Sequence, residues 1–66
     1  MKFIECEYDD AVNIDYIVNV EEWKDDRNYN PARYFVKIMD RNAMSHTFRG
    51  TLEDFYKELR RLLEDG

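Results

Sequence analysis

The stretch "RYFVKIMDRNAMSHTFRGTLEDFYKELRRLLEDG", residues 33–66, changes its apolar period part-way along and decides the fold. From 33 to 40 the residues alternate. Tyr34, Val36 and Ile38 fall on one side, and Phe35, Lys37 and Met39 on the other, which is the two-residue period of a strand. "DRNA", 40–43, reads as a tight turn. "MSHTFR", 44–49, alternates again, with Met44, His46 and Phe48 opposed to Ser45, Thr47 and Arg49. After Gly50 the spacing becomes helical: Leu52, Phe55, Tyr56, Leu59, Leu62 and Leu63 form one stripe. Thr51 is a good N-cap, and Asp54 stands three residues on, in capping-box position. Glu53 and Asp54 suit the positive end of the helix dipole, Arg60 and Arg61 the negative end. Glu53 and Lys57 make an i, i+4 pair, and Gly66 is a terminator.

Upstream, "KFIECEY", 2–8, alternates with Ile4, Cys6 and Tyr8 on the core side and Phe3, Glu5 and Glu7 opposite. "DDA", 9–11, is a turn signal. From Val12 the even positions Val12, Ile14, Tyr16, Val18 and Val20 are apolar, as in a long strand, but Ile17 breaks the pattern. Either a bulge or one helical turn near "NIDYI" would let Ile17 and Val20 share the core face. "DDRNYNP", 25–31, is dense in turn formers. The expectation is a single α+β domain over 1–66. A small curved antiparallel sheet of 3–4 strands, at about 2–8, 12–23, 33–40 and 44–49, carries one C-terminal helix, about 51–64, on one face. The uncovered face would then show Phe3, Phe35 and Met39 beside Glu5, Glu7 and Lys37, as a dimer or partner surface.

"VNIDYIVNVEE" and "YFVKIMDRNAMSHTFRGTLEDFYKEL" together resemble the small flagellar-operon proteins of the FlbD type. The resemblance covers most of the chain and lies in apolar spacing, an Asn-x-x-x-Ile turn at Asn13 to Ile17, a hairpin, and a helix opened by a hydroxyl residue and acids. It implies a structural or assembly accessory acting as a homodimer or through its apolar sheet face. The chain departs from that pattern in a longer loop over 24–32 and in "DRNA" where an Asn-Gly-type turn is expected. By size and acidity alone it is also similar to small phage-encoded inhibitors of the anti-CRISPR type.

Charge is uneven along the chain. Residues 1–30 hold nine acids and three bases, net −6, while 31–66 are net +1. Phosphate binding needs clustered positive charge, so the first half should repel nucleic acid. That half reads either as a solubilising surface or as an acidic face for a protein partner with a basic surface. The opening "MKFIECEYDD" lacks the apolar core of a signal peptide. No apolar run approaches the roughly 20 residues of a membrane span, and the single Cys6 fits a reducing compartment. A cytoplasmic protein that does not engage membranes is the expectation.

No catalytic constellation is visible. His46 and Cys6 stand alone without metal-ligand spacing. His46 reads as a strand residue at the core edge, and Cys6 as a small buried hydrophobe. Ser45 points away from His46 in a strand, so the two cannot act as nucleophile and base. Adjacent acids such as Asp9 and Asp10 read as solvated turn residues. The expectation is a chain that is not an enzyme and needs no cofactor or metal. Phe3, Phe35 and Phe48 could stack bases on an open sheet, but the acids beside them argue against it.

A protein partner remains. Interfaces concentrate their energy in Trp, Tyr and Arg, and "WKDDRNYNPARY", 23–34, holds Trp23, Arg27, Tyr29, Arg33 and Tyr34. Trp23 and Tyr34 are expected to face each other across the base of a hairpin and fix its register. Arg27 and Tyr29 lie near the tip, where no core claims them. The candidate contact set is Arg27, Tyr29 and Arg33 with Asp25, Asp26, Glu21 and Glu22, and on the sheet face Phe3, Phe35 and Met39.

Overall fold

The computed structural model describes residues 2–64. It is an α+β fold with five strands in two antiparallel sheets and one C-terminal helix. β1 (Phe3–Cys6) pairs with β2 (Asp10–Asn13) in a two-stranded sheet. β3 (Ile17–Asp25), β4 (Arg33–Asp40) and β5 (Ser45–Arg49) form a three-stranded sheet in that order. The helix α1 spans Leu52–Glu64. Gly66, expected to terminate it, lies outside the described residues.

The division into two sheets happens at "NIDYI". The Asn13 carboxamide oxygen accepts from the Asp15 amide at 2.9 Å and starts a 3-10 turn, Ile14–Tyr16, so residues 12–23 do not form one strand. A register shift follows between Ile17 and Asn19. The chain thus uses both devices considered for Ile17, a helical turn before it and a bulge after it. Ile17 and Val20 are half-buried against the core, whereas Val18, expected on the same face, is 63% exposed at the bulge. The first strand is also shorter than the alternation suggests. It stops at Cys6, because the turn into β2 places Tyr8 and Asp9 in the left-handed region, φ 65° and 56°. Tyr8, expected to point inward with Ile4, is instead 91% exposed.

Both sheets and the helix converge on one apolar cluster. Ile4 and Val12 come from the N-terminal hairpin, Val36 and Ile38 from β4, and Phe55 from α1. Phe48 meets Phe55 edge to face, with centroids 5.5 Å apart. One backbone bond, Glu7 N–H to Thr47 C=O at 2.8 Å, ties the turn of the N-terminal hairpin to β5. The capping box closes as the sequence suggests: Asp54 N–H donates to Thr51 Oγ1 and Thr51 N–H to Asp54 Oδ2, each at 3.1 Å. The expected Glu53–Lys57 pair is present at 3.6 Å. On the helix stripe, Leu52, Leu59 and Leu62 pack on the core, while Tyr56 and Leu63 stay exposed.

Candidate functional site

Strand pairing assigns the faces of the larger sheet. Val20 opposes Ile38, and Val36 opposes Phe48, so these lie toward the helix. The other face carries Glu21, Trp23 and Asp25 from β3, Arg33, Phe35, Lys37 and Met39 from β4, and Thr47 and Arg49 from β5. On it lies an open groove of about 560 Å³. It is lined by Tyr8, Trp23, Tyr29, Phe35, Lys37 and Thr47, by the last two residues of β3 and by loop residues 26–28.

Cations already sit on two of the rings. Lys37 Nζ lies 4.0 Å from the Trp23 ring centroid, and the Arg33 guanidinium 4.2 Å from that of Tyr29. Tyr29 also packs on Phe35, centroids 6.3 Å apart and tilted. Tyr29 is therefore half-buried and belongs to the sheet face rather than to a free loop tip. Trp23 opposes Phe35, and Tyr34 opposes Lys24, one residue off the expected Trp23–Tyr34 pairing. Because the strand period is two, that single step puts Tyr34 on the opposite face from Trp23.

The candidate acids divide in the same way. Asp25 shapes its own loop: Oδ1 accepts from the Arg27 and Asn28 amides, each at 3.2 Å, and Oδ2 from Asn28 Nδ2 at 3.1 Å. The Asn28 side-chain and backbone bonds hold its carboxyl below the usual range. Glu22 lies on the helix side and accepts from the Leu52 amide at 2.8 Å, at the positive end of α1. Glu21 opposes Lys37 on the groove side, and Asp26 and Arg27 are exposed beside it. Phe3 is 50% exposed but belongs to the two-stranded sheet, so it does not join Phe35 and Met39 on a common sheet face. The structure thus brings together Glu21, Asp25, Asp26, Arg27, Tyr29, Arg33 and Phe35 and leaves Glu22 and Phe3 apart, with Met39 further along the face. Tyr8, Trp23, Lys24, Asn28, Lys37 and Thr47 complete the groove and are not among the candidates, Trp23 being expected only to fix the hairpin register. The acid pair Asp9–Asp10 could have placed the turn at 7–9 and Tyr8 within it.

The strongest polar cluster lies elsewhere. His46 Nδ1 is 2.5 Å from Asp10 Oδ2, and Nε2 is 2.8 Å from Asp40 Oδ2. A carboxylate only accepts, so both ring nitrogens donate and the ring is an imidazolium. Burial opposes that charge, but the bonds to Asp40 and Asp10 outweigh it and raise the His46 pKa. The same bonds lower Asp10 and Asp40. Asp40 Oδ1 also accepts from the Asn42 and Met44 amides, at 2.8 and 3.0 Å, and so builds the β4–β5 turn. Cys6 is half-buried; burial first, and Asp10 next, push its thiol up to about 11, which makes it a poor nucleophile. Ser45 and His46 do point to opposite faces. Among the described residues no group of three His, Cys, Asp or Glu could hold a metal ion, and no helix is long and apolar enough to cross a membrane.

Comparison with protein-family models, with curated proteins and with solved structures found no match for this chain.

Proposed function

We propose that this chain is a non-enzymatic interaction module that holds a protein partner carrying a basic surface, with the groove face and the acidic strand β3 as its contact. The observation that carries the reading is Tyr8. A bulky aromatic stands at φ 65°, 91% exposed, on the rim of a groove with three other aromatic rings. A left-handed backbone costs a non-glycine residue about 1–2 kcal/mol, and so exposed a ring recovers little of it by burial. The turn sets that backbone, so what favours a contact role is the residue kept there, a large exposed aromatic at a position that suits Gly or Asn. Trp23, Tyr29 and Arg27 beside it are of the types that carry interface energy. Within that contact the acids belong to β3, Glu21, Glu22 and Asp25 against Lys24, with Asp26 just beyond its end, and they rather than the groove lining as a whole set the sign of the partner. A cytoplasmic inhibitor that occupies the basic, nucleic-acid-binding surface of a larger complex, as in the anti-CRISPR type, fits this reading.

Affinity capture on the immobilised chain at low salt tests it. The expected catch is a protein with a basic surface, released as salt rises. Tyr8→Asn should weaken that capture about ten-fold while leaving the urea midpoint equal or higher, since Asn tolerates the left-handed region. Recovery of no stable protein partner at low salt would sink the proposal. Titrations against single-stranded DNA and RNA should stay flat.

A second reading follows the FlbD-type resemblance: an assembly accessory that pairs with itself through the outer face. Trp23 and Met39, both exposed on that face, favour it. Salt separates the two, because an apolar interface keeps its association rate as ionic strength rises.

A further inference from the structure

We infer that the partner enters as an extended basic segment that adds to the free edge of β3 as a fourth strand. This rests on the reading of the chain as a module for a basic partner and names the mode of contact. β3 is the outermost strand of the three-stranded sheet, and β4 is its only strand partner among the described residues. β5, at the other edge, is tacked to the N-terminal hairpin through the Glu7–Thr47 backbone bond. Beyond the irregularity at Val18, residues 19–25 run in unbroken register with β4, so their outer edge is a straight row of backbone donors and acceptors. Such an edge takes an added strand by main-chain bonds, and the side chains beside it select the sequence.

The charge of this edge selects the occupant. Glu21, Glu22 and Asp25 against Lys24 leave β3 net −2, with Asp26 just beyond its end. Acids project on both faces of the strand: Glu21 and Asp25 on the groove side, Glu22 on the helix side. Lys24 shares the helix side with Glu22, so it is on the groove side that an incoming strand with bases finds opposite charge beside it, whereas an acidic one is repelled there. The same charges oppose a second copy in full overlap. Two copies of residues 19–25 in full antiparallel overlap place Glu22 opposite Glu22. Trp23 lies in the middle of this charged row, half-exposed, with Lys37 over its ring. An added strand would cover Trp23, so the only tryptophan of the chain reports on the edge.

The probe is a blocked seven-residue peptide alternating lysine and threonine, titrated into the full chain by Trp23 fluorescence and by amide hydrogen exchange. The controls are the same peptide N-methylated at alternate residues, which keeps the charge and loses the pairing, and a glutamate–threonine peptide. The lysine peptide should bind at least about ten-fold more tightly than either control and slow exchange at residues 19–25. Glu21→Gln, an exposed change, should weaken it several-fold. Equal binding of the N-methylated peptide would overturn edge pairing while leaving the basic-partner reading intact. Absence of binding by the lysine peptide would also overturn it, and capture on the immobilised chain would then decide the broader reading independently. Protection of residues 19–25 that grows with protein concentration alone would identify a second copy as the occupant and overturn the proposal.

Discussion

Gly50 joins β5 to α1 at φ 143°, a backbone that L side chains rarely adopt. A Cβ there would stand 3.1 Å from Asp54 Oδ2, 3.2 Å from Asp54 Cβ and 3.3 Å from the Phe48 ring. Asp54 cannot swing aside without giving up its bond to the Thr51 amide. Gly50→Ala should therefore cost about 1–3 kcal/mol, read as a lower urea midpoint with unchanged slope. Ala43, at φ 62° in the β4–β5 turn, is the converse case. Ala43→Gly relieves a left-handed alanine and should gain about 0.5–1 kcal/mol after the entropy of the freer unfolded chain is counted. A loss of stability in that variant would show that the Asp40-centred turn depends on more than backbone preference. Gly50 announced itself by its residue type. Ala43 and Tyr8 did not, because neither residue prefers a left-handed backbone; the turns impose it, and only the length of each turn reveals where.

The helix and the β4–β5 hairpin were legible because each repeats one period without interruption and carries its own end signals. Phe55 shows how much rests on that helix. It is almost fully buried, it closes the cluster shared by Ile4, Val12, Val36 and Ile38, and it meets the Phe48 ring. Phe→Ala in a core costs about 3–5 kcal/mol, and a domain under roughly 70 residues rarely holds more than that in total. Phe55→Ala should leave the chain largely unfolded at 25 °C, seen as loss of near-ultraviolet circular dichroism; a cooperative transition with a near-native midpoint would contradict this account of the core. Residues 12–23 were less legible. Val12 to Val20 alternate well enough for one strand, and the local signs against it are Ile17, which breaks the alternation, and Asn13, whose side chain caps the turn at Asp15. The one-residue error in the Trp23 register has a similar origin. Loop length fixes hairpin register, and the turn formers from Asp25 to Pro31 leave its ends ambiguous by one residue. The groove follows from that register: alternation alone puts Phe35 and Lys37 on one face, but only the pairing of Trp23 with Phe35 brings the indole to them.

The two sheets are joined by the apolar cluster, by the Glu7–Thr47 backbone bond and by a side-chain tie, His46 held between Asp10 of β2 and Asp40 of β4. The tie spans 36 residues of sequence on the Asp10 side, so no local pattern could show it; it exists only because the chain folds into two sheets. It makes stability depend on pH in a definite direction. The folded pKa of His46 is raised above 6.5, so its contribution is complete below pH 6.5 and is lost as pH rises through the folded value. Deprotonation leaves a lone pair facing one of the two carboxylates, and that contact turns from attraction to repulsion. Asp10 and Asp40 run the other way. Their pKa values are lowered from 3.8, so their contribution is present above that value and fades as pH falls through the folded pKa. Asp54 and Glu58, lowered by Thr51 and Arg61, steepen the same acid limb. Stability should therefore be greatest between about pH 4 and 6.5 and decline on the alkaline side while no other group with a resolved shift titrates near neutrality. His46→Ala should lower Tm by several degrees at pH 5.5 and abolish the alkaline decline, and the His46 ring protons of the unmodified chain should titrate above pH 6.5 by NMR. A wild-type Tm that stays level from pH 6 to 9, or a His46 titration at or below 6.5, would mean that the imidazolium does not hold the two sheets together.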